Sequence, residues 1–338
     1  MRNVAERISV IGLGLIGGSL LRALAGAGHR VLGYDTDPTT RATARTAAAR
    51  APQSGRWQVT TSIADAAAAA DIVVVAVPLP AIAGVFDALA AAGYSGLVTD
   101  VTSVKGAVAS LAAAHLRADG QSLSGYVGGH PMAGREASGF AASDADLFDG
   151  CAWVLCLETQ TSIGDWLRLA ALLTAALGVR VVPATAAEHD RAVAAISHVP
   201  HLFAAALAGH AASDPLALTL GAGSFRDGTR VAASRPALTA AMCGGNADAT
   251  RATLDAVLAD LAAARAALDG PDPIVALEPW LTPGAQARAA WPPSPGKAVS
   301  IPADADALRD LGRTGGWVTA VAADGRSVTA VRPAGPAT

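Results

Sequence analysis

Lysine is nearly missing from this chain of 338 residues: Lys105 and Lys297 stand against 23 arginines. Aromatic residues make up 4% and charged residues 16%, and the formal net charge is −3 with a sequence pI near 6.1. Affinity for nucleic acid comes mainly from neutralising phosphates, and no basic stripe is available to do so, which excludes a nucleic-acid partner. Cysteine is scarce too. Cys151, Cys156 and Cys243 are an odd set without metal-ligand spacing, which predicts free thiols in a reducing, cytoplasmic setting and no metal site. The apolar stretches 8–21 and 72–86 fall short of the roughly 20 residues that span a bilayer, and glycine or proline interrupts each. The mean hydropathy of +0.38 reflects alanine, about a quarter of the chain, and no membrane partner is expected.

What is present is a pattern. Through residue 184, short β-branched runs (8–11, 31–34, 58–61, 72–77, 97–101, 126–129, 152–157 and 179–182) alternate with alanine-rich helical stretches. That alternation predicts βαβ units around a parallel sheet. Ser62 with Asp65 forms a capping box, and Gly93 and Gly178 stand where helix C-caps belong. From residue 186 strand signals fade and helical periodicity takes over; after Gly270, seven prolines fall within residues 271–295. The expected architecture is α/β: a Rossmann-type parallel-sheet domain over 1–184, an all-helical domain over 185–269, and a proline-rich linker with a small C-terminal unit over 270–338. That last part is predicted to carry a helix at 303–311 and a hairpin turned at Asp324-Gly325. The helices expose Ala and Leu on more than one face, which predicts a homodimer through the helical domain.

Residues 1–25 outline a secretory signal, with Arg2 and Arg7 before an apolar core and Ala23-Leu24-Ala25 after it. Glycines at 12, 14 and 17 make a poor signal helix and fit a strand, turn and helix instead. In Gly12-x-Gly14-x-x-Gly17 the first glycine permits the tight turn, the second lets a pyrophosphate approach, and the third allows close helix–strand packing. The helix that Leu15 and Ile16 open then offers its N–H groups to phosphate. Asp35, eighteen residues past Gly17, ends the next strand, where a carboxylate accepts from ribose hydroxyls and repels a 2′-phosphate. NAD is therefore the expected cofactor, with Arg41 and Arg45 as the features that would favour NADP. Val77, Pro78 and Ser103 complete the expected cofactor contacts.

A dinucleotide site does not say what is oxidised. Three further segments carry chemistry: Asp100-Val101-Thr102-Ser103-Val104-Lys105, Gly128-Gly129-His130-Pro131-Met132-Ala133-Gly134-Arg135-Glu136, and Ser197-His198-Val199-Pro200-His201 with Phe225-Arg226-Asp227-Gly228-Thr229-Arg230. With GLGLIGGS, DVTSVK, GGHPMAGRE, SHVPH and FRDGTR in this order, the sequence resembles the prephenate/arogenate dehydrogenase family over residues 7–268. The resemblance implies oxidative decarboxylation of a cyclohexadienol by NAD, giving 4-hydroxyphenylpyruvate from prephenate or tyrosine from arogenate.

Under that resemblance His130 is the catalytic base, since a neutral imidazole with a reference pKa near 6.5 can draw off a hydroxyl proton at neutral pH. Ser103 bonds the substrate's C4 hydroxyl or the imidazole and positions the nicotinamide, and Lys105 supports its loop. Arg230 anchors a substrate carboxylate bidentately, with Arg226 a second anchor or a partner of Asp227. Ser197 and His201 contact the substrate from the helical domain, and Glu136 pairs with an arginine to gate the cleft. His198 is read as a core residue, and His29, His115, His189 and His210 as surface. Two alternatives stand beside this. A β-hydroxyacid or 6-phosphogluconate-type dehydrogenase uses a helix lysine as acid/base, yet the helical domain has none before Lys297. A non-catalytic NAD-sensing module has no need of Ser103, His130, His201 and Arg230 together.

Overall fold

The computed structural model describes residues 5–116, 125–135 and 137–334. They divide into two compact units: Met1–Asp190 with Ala298–Arg332, and Arg191–Lys297 with Pro333–Thr338. In the first unit, β1 (Arg7–Ile11), β2 (Arg30–Tyr34), β3 (Gln58–Val59), β4 (Ile72–Val75), β5 (Leu97–Asp100) and β6 (Tyr126–Val127) form one parallel sheet in the order β3-β2-β1-β4-β5-β6. The helices between them are α1 (Leu15–Gly26), α2 (Pro38–Arg50), α3 (Ile63–Ala68), α4 (Ile82–Ala91) and α5 (Gly106–His115). Ile72–Val75 is wholly buried, as a central strand covered on both faces must be. On one side Ile11, Val73, Val75 and Val98 pack with Phe86, Leu89 and Val108; on the other Val10, Val74 and Leu97 pack with Leu20, Leu24 and Trp166. Ser62 accepts the Asp65 N–H at 3.0 Å, and Gly93 and Gly178 adopt positive φ, as the capping pattern requires.

The expected single parallel sheet is two sheets. The run 126–129 breaks at Gly128, and β7 (Gly129–Pro131) leaves the first sheet to pair antiparallel with β8 (Ala152–Cys156). β8 runs parallel to β9 (Arg180–Ala184), and α6 (Ile163–Leu177) covers this second sheet with Trp166, Leu169 and Leu173.

The C-terminal segment differs more. Rather than a separate unit over 270–338, β10 (Val299–Pro302), α14 (Ala305–Arg313), β11 (Trp317–Val321) and β12 (Ser327–Val331) extend the second sheet, in the order β10-β12-β11-β9-β8-β7. A hairpin alone is marginal in water, and β9 offers it an open edge; Val318 pairs with Val181, and Leu308 and Leu311 enter the same core. The proline-rich stretch is not all linker either, because Pro279 and Pro283 lie inside a helix.

The second unit is helical. α7 (Ala186–Val193), within which the division falls, leads through a π-helical turn, Ala194–His198, to α8 (Val199–Ala211), followed by α9 (Pro215–Thr219), α10 (Gly223–Thr229), α11 (Pro236–Gly245), α12 (Ala247–Leu268) and α13 (Pro273–Ala289). Pro200 lacks the N–H of an ordinary turn and its ring crowds the carbonyl four residues back, so the wider turn ahead of it relieves the clash. Asp272 caps α13 through the Val275 N–H, and Trp280 Nε1–H donates to Asp260 O at 3.1 Å, which holds the proline-bearing helix on α12. The continuous helical run Ala186–Ala211, 26 residues, is long and apolar enough to cross a bilayer by length and composition, unlike the two shorter stretches considered from the sequence. Glu188, Asp190 and Arg191 occupy its first turns and His189 and His198 are buried in protein contacts, while 28% of its apolar window is buried.

A Cβ on Gly312 of α14 would lie 1.7 Å from the carbonyl oxygen of Pro183 in β9. Gly312→Ala should therefore lower stability by about 1–3 kcal/mol, the range for forced overpacking, read as a lower urea midpoint. An unchanged midpoint would show that α14 is not seated on β9.

Candidate active site

The glycine turn joins β1 to α1. Gly12 has φ +96°, and a Cβ there would meet Ala76 O at 2.5 Å and Val77 Cγ1 at 2.9 Å; one on Gly17 would lie 1.8 Å from Gly12 O. Gly14 differs: nothing lies within 4 Å of its Cβ position, so its backbone is bare where a phosphate must approach the start of α1 at Leu15 and Ile16. At the end of β2, Asp35 accepts Leu13 N–H at 2.7 Å and Asp37 N–H at 2.9 Å, which fixes its carboxylate beside the turn. Arg41 donates to the carbonyls of Asp35 and Thr36 and lies over the Tyr34 ring, while Arg45 Nη2 lies 3.5 Å from Val59 O. Val77 and Pro78 follow the end of β4. These residues fit a dinucleotide: an open backbone at Gly14, a helix N-terminus behind it and an acceptor at Asp35.

Past β5 the chain turns through Thr102 and Ser103 into α5. Lys105, fully buried, donates from Nζ to Asp100 Oδ1, to Thr102 Oγ1 at 3.0 Å and to Gly129 O at 2.6 Å. Asp100 also accepts from Thr102 N and from the Tyr126 hydroxyl at 2.7 Å; burial and this carboxylate push the Tyr126 phenol well above its ordinary pKa. Lys105 thus braces the residue just before His130. Ser103, on the same turn, is half-buried.

His130 sits in the middle of β7, half-buried, with its Nδ1 2.8 Å from His189 Nε2. His189 is 2% exposed, not a surface residue as the sequence reading has it, and its Nδ1 lies 2.8 Å from Asp190 Oδ1. Asp190 accepts Lys105 N–H and Gly106 N–H at 2.8 Å each, at the N-terminus of α5. Burial lowers the His189 pKa, opposed by the Asp190 hydrogen bond. Burial pushes Asp190 upward, but its bonds from His189, Lys105 and Gly106 bring it below its ordinary value. Sequence reasoning missed both residues: β7 and α7 are far apart along the chain, and only adjacency in His189-Asp190 hinted at a pair. His29 accepts the Glu6 N–H and His115 pairs with Asp87 at 2.8 Å, both half-buried, leaving His210 as the exposed member of the expected surface set.

In the second unit His201 Nδ1–H donates to Ser197 O at 2.8 Å across the π turn, and the Ser197 hydroxyl lies 3.8 Å from Met242 Sδ. His198 is a core residue, fully buried against Asn246 and Thr250. α10 and the 3-10 turn that follows it, Arg230–Ala233, both pack against α8, placing Arg226 and Arg230 beside the His201 helix. Both arginines are exposed, and Arg226 Nε is 3.4 Å from Asp227. Glu136 lies outside the described residues.

Residues 18–183 match the family model for the nucleotide-binding domain of prephenate dehydrogenase, beginning just past the glycine turn, and residues 185–273 match that for its dimerization domain. A prephenate dehydrogenase of Lactococcus lactis is 32% identical over 239 residues, 67% of this chain and 61% of that protein. The chain thus spans about three fifths of that relative's length. A cyclohexadienyl dehydrogenase of Zymomonas mobilis is 34% identical over 279 residues, 80% of this chain and 90% of the relative. A crystal structure from Corynebacterium glutamicum, provisionally named a prephenate dehydrogenase, is 36% identical with a TM-score of 0.76, covering 86% of this chain and 88% of that one.

The brace around Lys105 has a measurable consequence. Lys105→Met would strand the fully buried Asp100 carboxylate, so stability should drop by about 3–5 kcal/mol. The double variant Asp100→Asn/Lys105→Met should recover part of that loss in denaturant melts. Equal losses in both would remove the ion pair as the cause.

Proposed function

Because the chain belongs to the prephenate dehydrogenase family, we propose that it is an NAD-dependent dehydrogenase that oxidatively decarboxylates a cyclohexadienol, prephenate or arogenate, in tyrosine biosynthesis. The observation that carries the reading is His130: an imidazole in β7 beside the end of β5, its ring held at Nδ1 by a buried partner. NAD, when bound, supplies the hydride acceptor. His130 takes the proton of the substrate's C4 hydroxyl as the carbinol C–H bond breaks. Ser103 hydrogen-bonds that hydroxyl. The ring carboxylate leaves as CO2, driven by aromatisation, and the proton returns to the oxygen as it becomes phenolic. No covalent adduct with the protein is required. Arg230 binds a carboxylate of the substrate bidentately, with Arg226, 3.4 Å from Asp227, a second anchor or that residue's partner. His201 and Ser197 contact the substrate's other polar groups. With its three free cysteines, the protein belongs in the reducing cytoplasm.

NAD+ reduction assayed separately with prephenate and arogenate should show turnover with at least one, and no turnover with either overturns the proposal. In the same assay His130→Asn should lower kcat by roughly 10²–10⁴-fold, and Arg230→Ala should raise the substrate KM while leaving that for NAD+ unchanged.

We further propose a homodimer through the helical unit. Support comes from its match to the family's dimerization domain and from large apolar side chains exposed there, among them Ile196, Leu220 and Ile274. Light scattering at micromolar concentration should give twice the 33.5 kDa chain mass; a monomer sinks this proposal.

A further inference from the structure

The contacts of His130, His189 and Asp190 form a chain whose donors and acceptors can be assigned from one end. A carboxylate only accepts, so the proton between Asp190 and His189 belongs to His189 Nδ1. Asp190 is well anchored for this, because Lys105 N–H and Gly106 N–H occupy its two oxygens at 2.8 Å and the start of α5 favours its negative charge. His189 is deeply buried, and burial favours its neutral form. A neutral imidazole protonated at Nδ1 has its lone pair on Nε2, the atom that faces His130 Nδ1 at 2.8 Å. The proton of that second bond must therefore sit on His130 Nδ1. In neutral His130 this leaves the basic lone pair on Nε2.

We propose that His189, oriented by Asp190, is a positioning residue that fixes His130 in the Nδ1–H tautomer and so makes Nε2 the atom that receives the substrate proton. This rests on the reading of His130 as the base. Once Nε2 is protonated, the Nδ1–H of the imidazolium is still directed at the His189 lone pair, so the charged form gains a stronger hydrogen bond than the neutral one. The rings meet edge to face, 5.0 Å between centroids and 72° between planes, so His189 supports the ring by a directed bond rather than by stacking. The charged groups acting on His189 are Asp190 on its own helix, Lys105 ahead of α5 and Asp100 at the end of β5. Lys105 opposes a proton there, whereas Asp190 and Asp100 favour it.

The test uses the whole protein and two variants. His189→Leu removes both hydrogen bonds; in His189→Gln the side-chain oxygen can accept from His130 and the amide can donate to Asp190. The first readout needs no activity: nitrogen-15 NMR of histidine-labelled protein, with His130 assigned through His130→Asn. Wild type and His189→Gln should show His130 protonated at Nδ1, and His189→Leu a mixture or the Nε2–H form. The second readout is kinetic. His189→Leu should lower kcat by up to about 10⁴-fold, the loss that follows when the residue orienting a catalytic imidazole is replaced. It should also shift the acidic limb of kcat/KM to lower pH, with KM for NAD+ unchanged and partial rescue in His189→Gln.

An Nδ1–H tautomer retained in a folded His189→Leu protein overturns the proposal, as does an acidic limb that does not move. Equal impairment of the Leu and Gln variants, without change in tautomer or pH profile, makes His189 merely structural and overturns it too. If wild type showed the Nδ1–H tautomer yet oxidised neither substrate, the reading of the activity would fail while the tautomer assignment stood.

Discussion

Burying the Lys105 ammonium beside the Asp100 carboxylate strips both of water, an effective penalty of several kcal/mol per ion that only good geometry can offset. The surroundings supply that geometry. Asp100 accepts from Lys105, from Thr102 at two atoms and from the Tyr126 hydroxyl, while Lys105 spends another donor on Gly129 O. These partners come from the end of β5, the turn after it, β6 and β7. One of only two lysines in the chain therefore fixes the turn that carries Ser103 and the backbone that carries His130.

The same loop reaches a second carboxylate. Lys105 N–H and Gly106 N–H, at the start of α5, both point at Asp190. The ammonium thus holds the strand beneath His130 while the adjoining backbone holds the acid that orients His189. Two electrostatic contacts that meet at Lys105 set both the position and the ring orientation of His130. Movement of this turn would disturb them together.

The first sheet and the cofactor turn were legible because their signals are local. Strand–glycine–helix spacing and the Ser62 cap depend on residues a few positions apart, and the acidic residue at 35 lies within one βαβ unit of the glycines. What escaped depended on distant partners. His189 is buried because β7 and the start of α5 meet it, and nothing within α7 announces that. The hairpin 317–331 was visible as a hairpin, yet its place beside β9 is set by an open edge formed more than 130 residues earlier. Pro279 and Pro283 argued for a linker, while the Asp272 cap and the Trp280 bond to α12 overrode the local propensity. Of the residues proposed to meet the substrate, His201 and Ser197 gained a structural relation, the bond across the π turn, that the SHVPH motif alone does not reveal.

Cofactor selectivity turns on Asp35 and Arg41, which the sequence set against each other. A 2′-phosphate beside the ribose would bring negative charge close to the Asp35 carboxylate. Two like unit charges about 4 Å apart repel by about 4 kcal/mol at an effective dielectric of about 20. An arginine at the same distance and dielectric would return a like amount, but half-buried Arg41 would have to give up its bonds to the carbonyls of Asp35 and Thr36, or share them, and that cost is subtracted from its attraction. Asp35 cannot easily turn away, because Leu13 N–H and Asp37 N–H hold one oxygen each. Each of those oxygens retains a lone pair for a ribose hydroxyl. The repulsion therefore outweighs the attraction, and the balance favours NAD over NADP.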